Sequence, residues 1–176
     1  MSSRSTALWI ALFVALAIAG GAVGLLAGDD SGERAVPGAA YGRVVRAIDG
    51  DTVEILLAAK AETVRYIGVD APETVEPGAP VQCFGRQASA FNRRMIEGRR
   101  VRLRFGAERR DRYGRLLAYV YPEGSARSAS AELIARGYGR ELTIAPNSAH
   151  AVAFARLERH ARRHHLGLWR ACGRRP

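Results

Sequence analysis

Between Gly42 and Val69 the chain alternates apolar and polar residues three times, with almost nothing to spare between the runs. YGRVVRAI ends at Asp49-Gly50-Asp51, TVEILL follows, and beyond Ala58 to Ala61 a third run covers Glu62 to Val69. A period of two over such short segments is the pattern of half-buried strands, and Asp-Gly-Asp is a tight-turn composition. Gly42–Ile48 and Thr52–Leu57 are therefore expected to form a hairpin, and Glu62–Val69 to add a third antiparallel strand. Any fold for this chain has to be built around that meander.

The residues that follow restrict how the meander closes. Thr74 to Pro80 contains Pro77, Gly78 and Pro80 and reads as a loop. From Phe84 to Glu97 the period becomes helical, with Phe84, Ala88, Phe91 and Met95 as the apolar stripe and Gly98 as the stop. Arg100–Phe105 and Gly114–Tyr121 return to strand spacing across a polar turn at Glu108–Tyr113. Ser130–Gly137 and Ser148–Arg163 are expected helices, the second burying Val152, Phe154, Leu157 and Ala161. Phe84, Phe91 and Phe154 read as core, and Trp169 as the residue that seats the C-terminus. Five short strands in antiparallel order, with a helix between the third and fourth, fit a mainly β, α+β fold. The expected form is a five-stranded barrel of the oligonucleotide-binding (OB) type with three helices, because closure removes exposed strand edges. An open α+β sheet is the alternative.

The first forty residues stand apart. Ala7–Ala27 carries no charge, and at about 1.5 Å per residue it can cross a bilayer core of about 30 Å. Arg4 precedes it and Asp29, Asp30 and Glu33 follow, which favours export of everything downstream. Residues 1–28 are read as a cleaved signal or a retained membrane anchor, with the length leaning towards an anchor. Residues 29–39 are then a linker and 40–176 the single domain. An extracytoplasmic domain permits a disulfide between Cys83 and Cys172; two unpaired thiols are the alternative.

The net charge is +10, and of 27 basic residues only Lys60 is a lysine. Arg86 to Arg115 holds eleven arginines against three acids, and Arg156 to Arg175 seven against one. A small basic domain attracts polyanions such as DNA, RNA or an anionic membrane surface, and nothing in the chain asks for more than a monomer. The first run is either solvated helix and strand face or a track for a polyanion. The second could steer nucleic acid or lie on anionic lipid beside an anchor. His160 and His164 are spaced for a shared metal but lack a carboxylate to complete it, and are expected on the surface.

Chemistry concentrates in RYIGVDAPE, Arg65 to Glu73. Alternation puts Arg65 on the side of Ile67 and Val69, where a guanidinium is costly to dehydrate unless an anion meets it. Asp51 at the hairpin turn and Asp70 at the end of the third strand can be neighbours in a meander. Two such carboxylates repel and invite a divalent cation. Arg115 opens the fifth strand in DRYGRLLAYV. Carboxylates holding a cation, flanked by two guanidinium groups, make a receptor for a phosphodiester, and Glu73 is left to orient or deprotonate a water.

Taken together, DGDT at Asp49–Thr52, RYIGVDAPE, CFGRQASAF at Cys83–Phe91, DRYGRLLAYV at Asp111–Val120 and the terminal GLW resemble the thermonuclease (staphylococcal-nuclease-like) domain family over about residues 40–172. The resemblance implies a calcium-dependent phosphodiesterase acting on DNA or RNA. It implies Asp51 and Asp70 as Ca2+ ligands with the backbone carbonyl of Ala71, and Asp49 supporting them. Arg65 and Arg115 would clamp the phosphate and stabilise the transition state, Glu73 would be the general base or water-orienting group, and Arg112 and Tyr113 would touch the nucleotide phosphate. Attack would be direct and in line, breaking P–O5′ to leave 3′-phosphate ends. The resemblance also favours the Cys83–Cys172 bridge. Two stretches depart from the pattern: Thr74–Val81 has no base, and Glu141–Ala145 has no aromatic residue for stacking a nucleobase. The competing reading is a non-catalytic barrel of the same type that holds a polyanion without cutting it.

Overall fold

A computed structural model of the chain describes residues 38–74 and 80–173. The apolar segment Ala7–Ala27, the linker up to residue 37 and most of the loop after Glu73 lie outside the described residues, and the last linker residue, Ala39, already belongs to the first strand. Among the described residues no helix is long and apolar enough to cross a membrane.

In chain order the elements are β1 (Ala39–Ala47), β2 (Thr52–Leu57), β3 (Lys60–Tyr66), β4 (Gly68–Asp70), α1 (Gly85–Ile96), β5 (Arg100–Arg110), β6 (Leu116–Pro122), α2 (Ala129–Ala135), β7 (Arg140–Leu142), α3 (Ala151–Arg163) and α4 (Leu168–Ala171). Five strands close a barrel in the order β1-β2-β3-β6-β5. Its interior takes the alternate residues the sequence marks as apolar, among them Val53, Ile55, Val64, Tyr66, Leu103 and Val120. The expected wholly antiparallel order fails at one seam. There β3 runs parallel to β6, Val64 opposite Leu116, because five strands, an odd number, cannot alternate in direction all the way round a closed barrel.

The β2–β3 hairpin is tighter than expected. Leu57 pairs with Lys60, so only Ala58 and Ala59 turn the chain, at φ 45° and 68°. That is the left-handed two-residue geometry of a hairpin, made here without glycine or asparagine. Counting back from this turn puts Thr52 opposite Arg65. The turn therefore sets the first contact of the site.

The third strand does not continue to Val69. Gly68 has φ +83°, and a Cβ there would stand 2.5 Å from the Phe154 ring, so the chain breaks direction at a residue without a side chain. Ile67 is secured on both sides of the break, its N–H donating to Ala118 O at 3.1 Å and its carbonyl accepting from Ser130 Oγ at 2.8 Å. The residues beyond it form β4, which leaves the barrel and pairs with β7, Asp70 opposite Arg140.

In α1 the fully buried row is Gly85, Ala88, Asn92 and Ile96 rather than the expected stripe. Phe91 and Met95 sit half-buried on its edge, and Phe84 precedes the helix, stacked on Tyr138. Ser128 caps α2 by accepting the Ala131 N–H at 3.2 Å. In α3 Phe154 and Ala161 are buried, but Val152 is 69% exposed. Two residues before Phe154 is about 200° round a helix, so the two cannot share a face. A fourth helix, α4, escapes the sequence reading because it is a single turn. It ends at Cys172, which forms a disulfide with Cys83 across a Cα–Cα distance of 5.9 Å. Trp169 lies between the guanidinium groups of Arg162 and Arg140, at 4.2 and 5.5 Å. His160 and His164 are both exposed, as expected.

Candidate active site

The site begins at the turn between β1 and β2. Asp49 accepts the N–H groups of Asp51 and Thr52 on one oxygen, at 2.8 and 2.7 Å, so its side chain builds the turn. Asn92 of α1 donates to the Asp49 carbonyl at 2.9 Å and accepts from the Tyr66 hydroxyl at 3.0 Å. The sequence reading missed this buried chain. Its signal was present, a polar residue at four-residue spacing from Ala88 and Ile96, but it sat in a helix rich in solvated arginine.

The turn presents the Asp51 carboxylate inward. One oxygen accepts the Ala71 N–H at 2.7 Å and the other the Thr52 hydroxyl at 3.2 Å. Gly50 lies directly against the Ala71 methyl group and has no room for a side chain of its own. Asp51 is 5% exposed. Burial pushes its carboxyl up to about 7, against the pull of Arg65 and the Ala71 N–H, and the nearby Asp49 and Asp70 charges push the same way as burial.

Arg65 joins the two carboxylates. Nη1 is 2.9 Å from Asp51 Oδ2, and Nη2 donates to Asp70 Oδ1 at 3.3 Å. Nη1 also donates to the Val69 carbonyl at 2.9 Å, which fixes the guanidinium to the strand break. The side chain is 17% exposed, against 55% for Asp70. The expectation that Arg65 needs an anion is met twice over.

The other face of Arg65 lines a cleft of about 480 Å³ together with Arg112, Tyr113 and Arg115. The turn after β5 shapes its rim. Asp111 accepts the backbone N–H groups of Tyr113 and Arg115 on one oxygen and Arg115 Nε on the other, at 2.7 Å. The guanidinium groups of Arg115 and Arg112 lie 5.3 and 4.8 Å from the Tyr113 ring centroid, and that ring is 68% exposed. The opposite wall is aliphatic: Ile67, Val69 and Leu117, with Leu142 and Ile144 from the stretch that lacks aromatic residues.

Glu73 lies on the turn that leads to α1. Its carboxylate accepts the Thr74 N–H at 2.7 Å, and its backbone exchanges two hydrogen bonds with Gln82. Gly85 begins the helix against this turn: a Cβ on it would stand 2.8 Å from the Glu73 carbonyl oxygen.

The donors around Asp51 are of the right kind for a hard divalent cation. They are oxygens only, two carboxylates bridged by one guanidinium, with the Ala71 peptide bound to one of them. Beside burial, the Asp49 and Asp70 charges push the Asp51 carboxyl up, and that like-charge repulsion is what an added positive charge would relieve. Among the described residues no cluster of three or more histidine, cysteine, aspartate or glutamate side chains forms a closed cage. A cation here would rest on two carboxylates and backbone or solvent oxygen, and would share those carboxylates with Arg65.

Comparison with known proteins agrees with the geometry. The family model for staphylococcal nuclease homologues matches residues 63–171. Endonuclease YncB of Bacillus subtilis (strain 168) is 39% identical over 130 residues, which cover 73% of this chain and 61% of that protein. Thermonuclease of Staphylococcus intermedius is 38% identical over 126 residues, 72% of this chain and 74% of the relative. Thermonuclease of Staphylococcus hyicus is 35% identical over 127 residues, with the same coverage. The chain thus spans a little under two thirds of the Bacillus protein and about three quarters of the staphylococcal ones. The matched region runs from β3 through α4, takes in Arg65, Arg112 and Arg115 of the cleft, and makes the chain a member of the staphylococcal nuclease family.

Proposed function

We propose that the protein is a nuclease, a metal-assisted phosphodiesterase that hydrolyses DNA or RNA. One observation carries the reading: Arg65 touches the Asp51 and Asp70 carboxylates and lines the same cleft as Arg115 and Tyr113. A phosphodiester seated there would lie between a carboxylate-rich end and a guanidinium-rich end.

Asp51 and Asp70, with the Ala71 carbonyl, are the groups that would hold a hard cation, Ca2+ by family likeness; Asp49 builds the turn that carries Asp51. When bound, such an ion supplies positive charge against the phosphoryl oxygens. Arg65 and Arg115 bind the non-bridging oxygens and meet the extra negative charge of the five-coordinate transition state. Glu73 orients the attacking water and takes its proton. Water adds to phosphorus as the P–O5′ bond breaks, and the departing oxygen is protonated from solvent, leaving 3′-phosphate and 5′-hydroxyl ends. Arg112 and Tyr113 hold the adjoining phosphate. The aliphatic wall around Leu142 and Ile144 receives a base with less stacking energy than aromatic rings would give.

We also place this activity outside the cytoplasm, since the Cys83–Cys172 bridge needs an oxidising compartment.

The test is cleavage of single-stranded DNA and of RNA by the purified protein, with calcium and with excess chelator. Cleavage that requires calcium and leaves 3′-phosphate ends is expected. Cleavage indifferent to chelator overturns the metal's role. Binding without cleavage under both conditions favours the non-catalytic barrel instead.

A further inference from the structure

The active site uses only Arg112 and Arg115 of the long arginine run that begins at Arg86. Two others, Arg94 and Arg99, join Arg136 from the end of α2 around a groove of about 510 Å³ between α1 and α2. Its floor is Phe91, Met95 and Tyr138, and its rim carries Arg94, Arg99 and Arg136. The Phe91 and Tyr138 rings lie parallel, 6° apart in plane and 4.1 Å between centroids, with the Arg136 guanidinium 5.8 Å from the Phe91 centroid. Glu132 lines the groove as well, held by Arg127 and Arg136 at 3.4 and 3.1 Å. Arg99 donates to the carbonyls of Met95 and Glu123, which fix it without neutralising it. The groove therefore keeps an excess of positive charge over an apolar, aromatic floor.

We propose that this groove is a second nucleic-acid site, which holds a single-stranded stretch a few nucleotides from the bond being cut. The proposal rests on the nuclease reading for its purpose, but not for its test. Phe91 and Tyr138 stack on each other, so they offer an apolar floor; with the cationic rim it complements unpaired bases joined by phosphates, whereas a duplex hides its base faces. The position is also suitable. α1 starts against the Glu73 turn, and Phe91 to Met95 lie six to ten residues further on, about 9–15 Å along the axis. That is roughly three to four stacked nucleotides at about 3.4 Å each. Arg86, exposed in the first turn of α1, lies at the start of the path between them.

The experiment uses the full-length protein in excess chelator, so that nothing is cut, and a fluorescent 15-nucleotide oligothymidylate in a salt series. Arg94→Glu with Arg136→Gln is expected to weaken binding at least fivefold and to lower the salt slope by about one to two. A trinucleotide should bind both proteins equally. Phe91→Leu, which keeps an apolar floor, should weaken the 15-mer with its salt slope intact. Under cutting conditions the KM for long single strands should rise, while turnover of a p-nitrophenyl ester of thymidine phosphate stays within twofold. Arg94→Gln alone, at an exposed side chain, serves if the double variant fails to fold. Unchanged 15-mer affinity and slope in a folded variant overturns the proposal. So does loss of binding to phosphatidylglycerol vesicles with oligonucleotide binding intact. If no form of the protein cuts anything, the nuclease reading falls, and the binding series still decides the groove.

Discussion

The two ends of the active site are built on different principles. At the carboxylate end, Asp51 is buried and every contact is doubled: Asp49 shapes its turn, Asn92 and Tyr66 hold the turn from behind, and Ala71 and Arg65 meet the carboxylate. At the arginine end, Arg115 is 31% exposed and depends on Asp111 four residues before it. Burial near like charges makes the first end costly to assemble and rigid once assembled. The second costs little and leaves Arg115 free to exchange one anion for another. On the mechanism proposed above, which holds a cation and releases a product, that division would serve both tasks.

Arg65→Ala should give the largest effect because it strikes both ends. A loss of about a thousandfold in kcat is expected, together with a fall of about 3 kcal/mol in stability measured in chelator, since two carboxylates lose their shared partner. Calcium should restore much of that stability. Arg115→Ala should cost about a hundredfold in kcat and leave the melting temperature nearly unchanged, because a part-exposed pair contributes under about 1 kcal/mol. Equal destabilisation by the two variants would break the comparison. Asn92→Ala tests the support from behind, and should cost about 1–3 kcal/mol of stability by leaving the Asp49 carbonyl and the Tyr66 hydroxyl unpaired. A variant that lost activity but no stability would show that Asn92 acts on the chemistry instead.

The smallest effect lies outside both ends. His150 at the start of α3 rests edge-on against Tyr119, and burial together with Arg104 holds its imidazole below the usual value. Below the ordinary histidine range the unfolded chain binds the proton more readily than the folded one. The stability this group contributes is therefore complete above pH about 6.5 and declines as the pH falls towards its folded value. Melting curves of the wild type and His150→Gln between pH 7 and 5 should diverge slightly in that direction. Parallel curves would remove the contribution.

The barrel was legible because alternation in a strand of five to seven residues survives whatever the strand pairs with. The break at Gly68 was not, since apolar residues continue through it and only the distant Phe154 and Ser130 show that the chain turns. β7 was too short, at Arg140–Leu142, to carry a period at all. Within the site, Asp51, Asp70 and Arg65 could be brought together by residue type, but their contact depends on hairpin register. That register follows from a turn of two alanines, which carries no turn signal in its composition. Phe91 and Met95 looked like core because half-burial and full burial leave the same mark on a helical stripe.

Gly85 draws α1 against the Glu73 turn so closely that a single methyl group would force the backbone of one of them to move. Helix and turn therefore share one steric tolerance, and neither can be repositioned alone. A substitution at Gly85 would add no group to the cleft, yet it would press on the Glu73 main chain and so on the place from which its carboxylate would act in the proposed mechanism. The glycine in CFGR acts as a spacer, setting by its lack of bulk how near the helix lets the carboxylate stand.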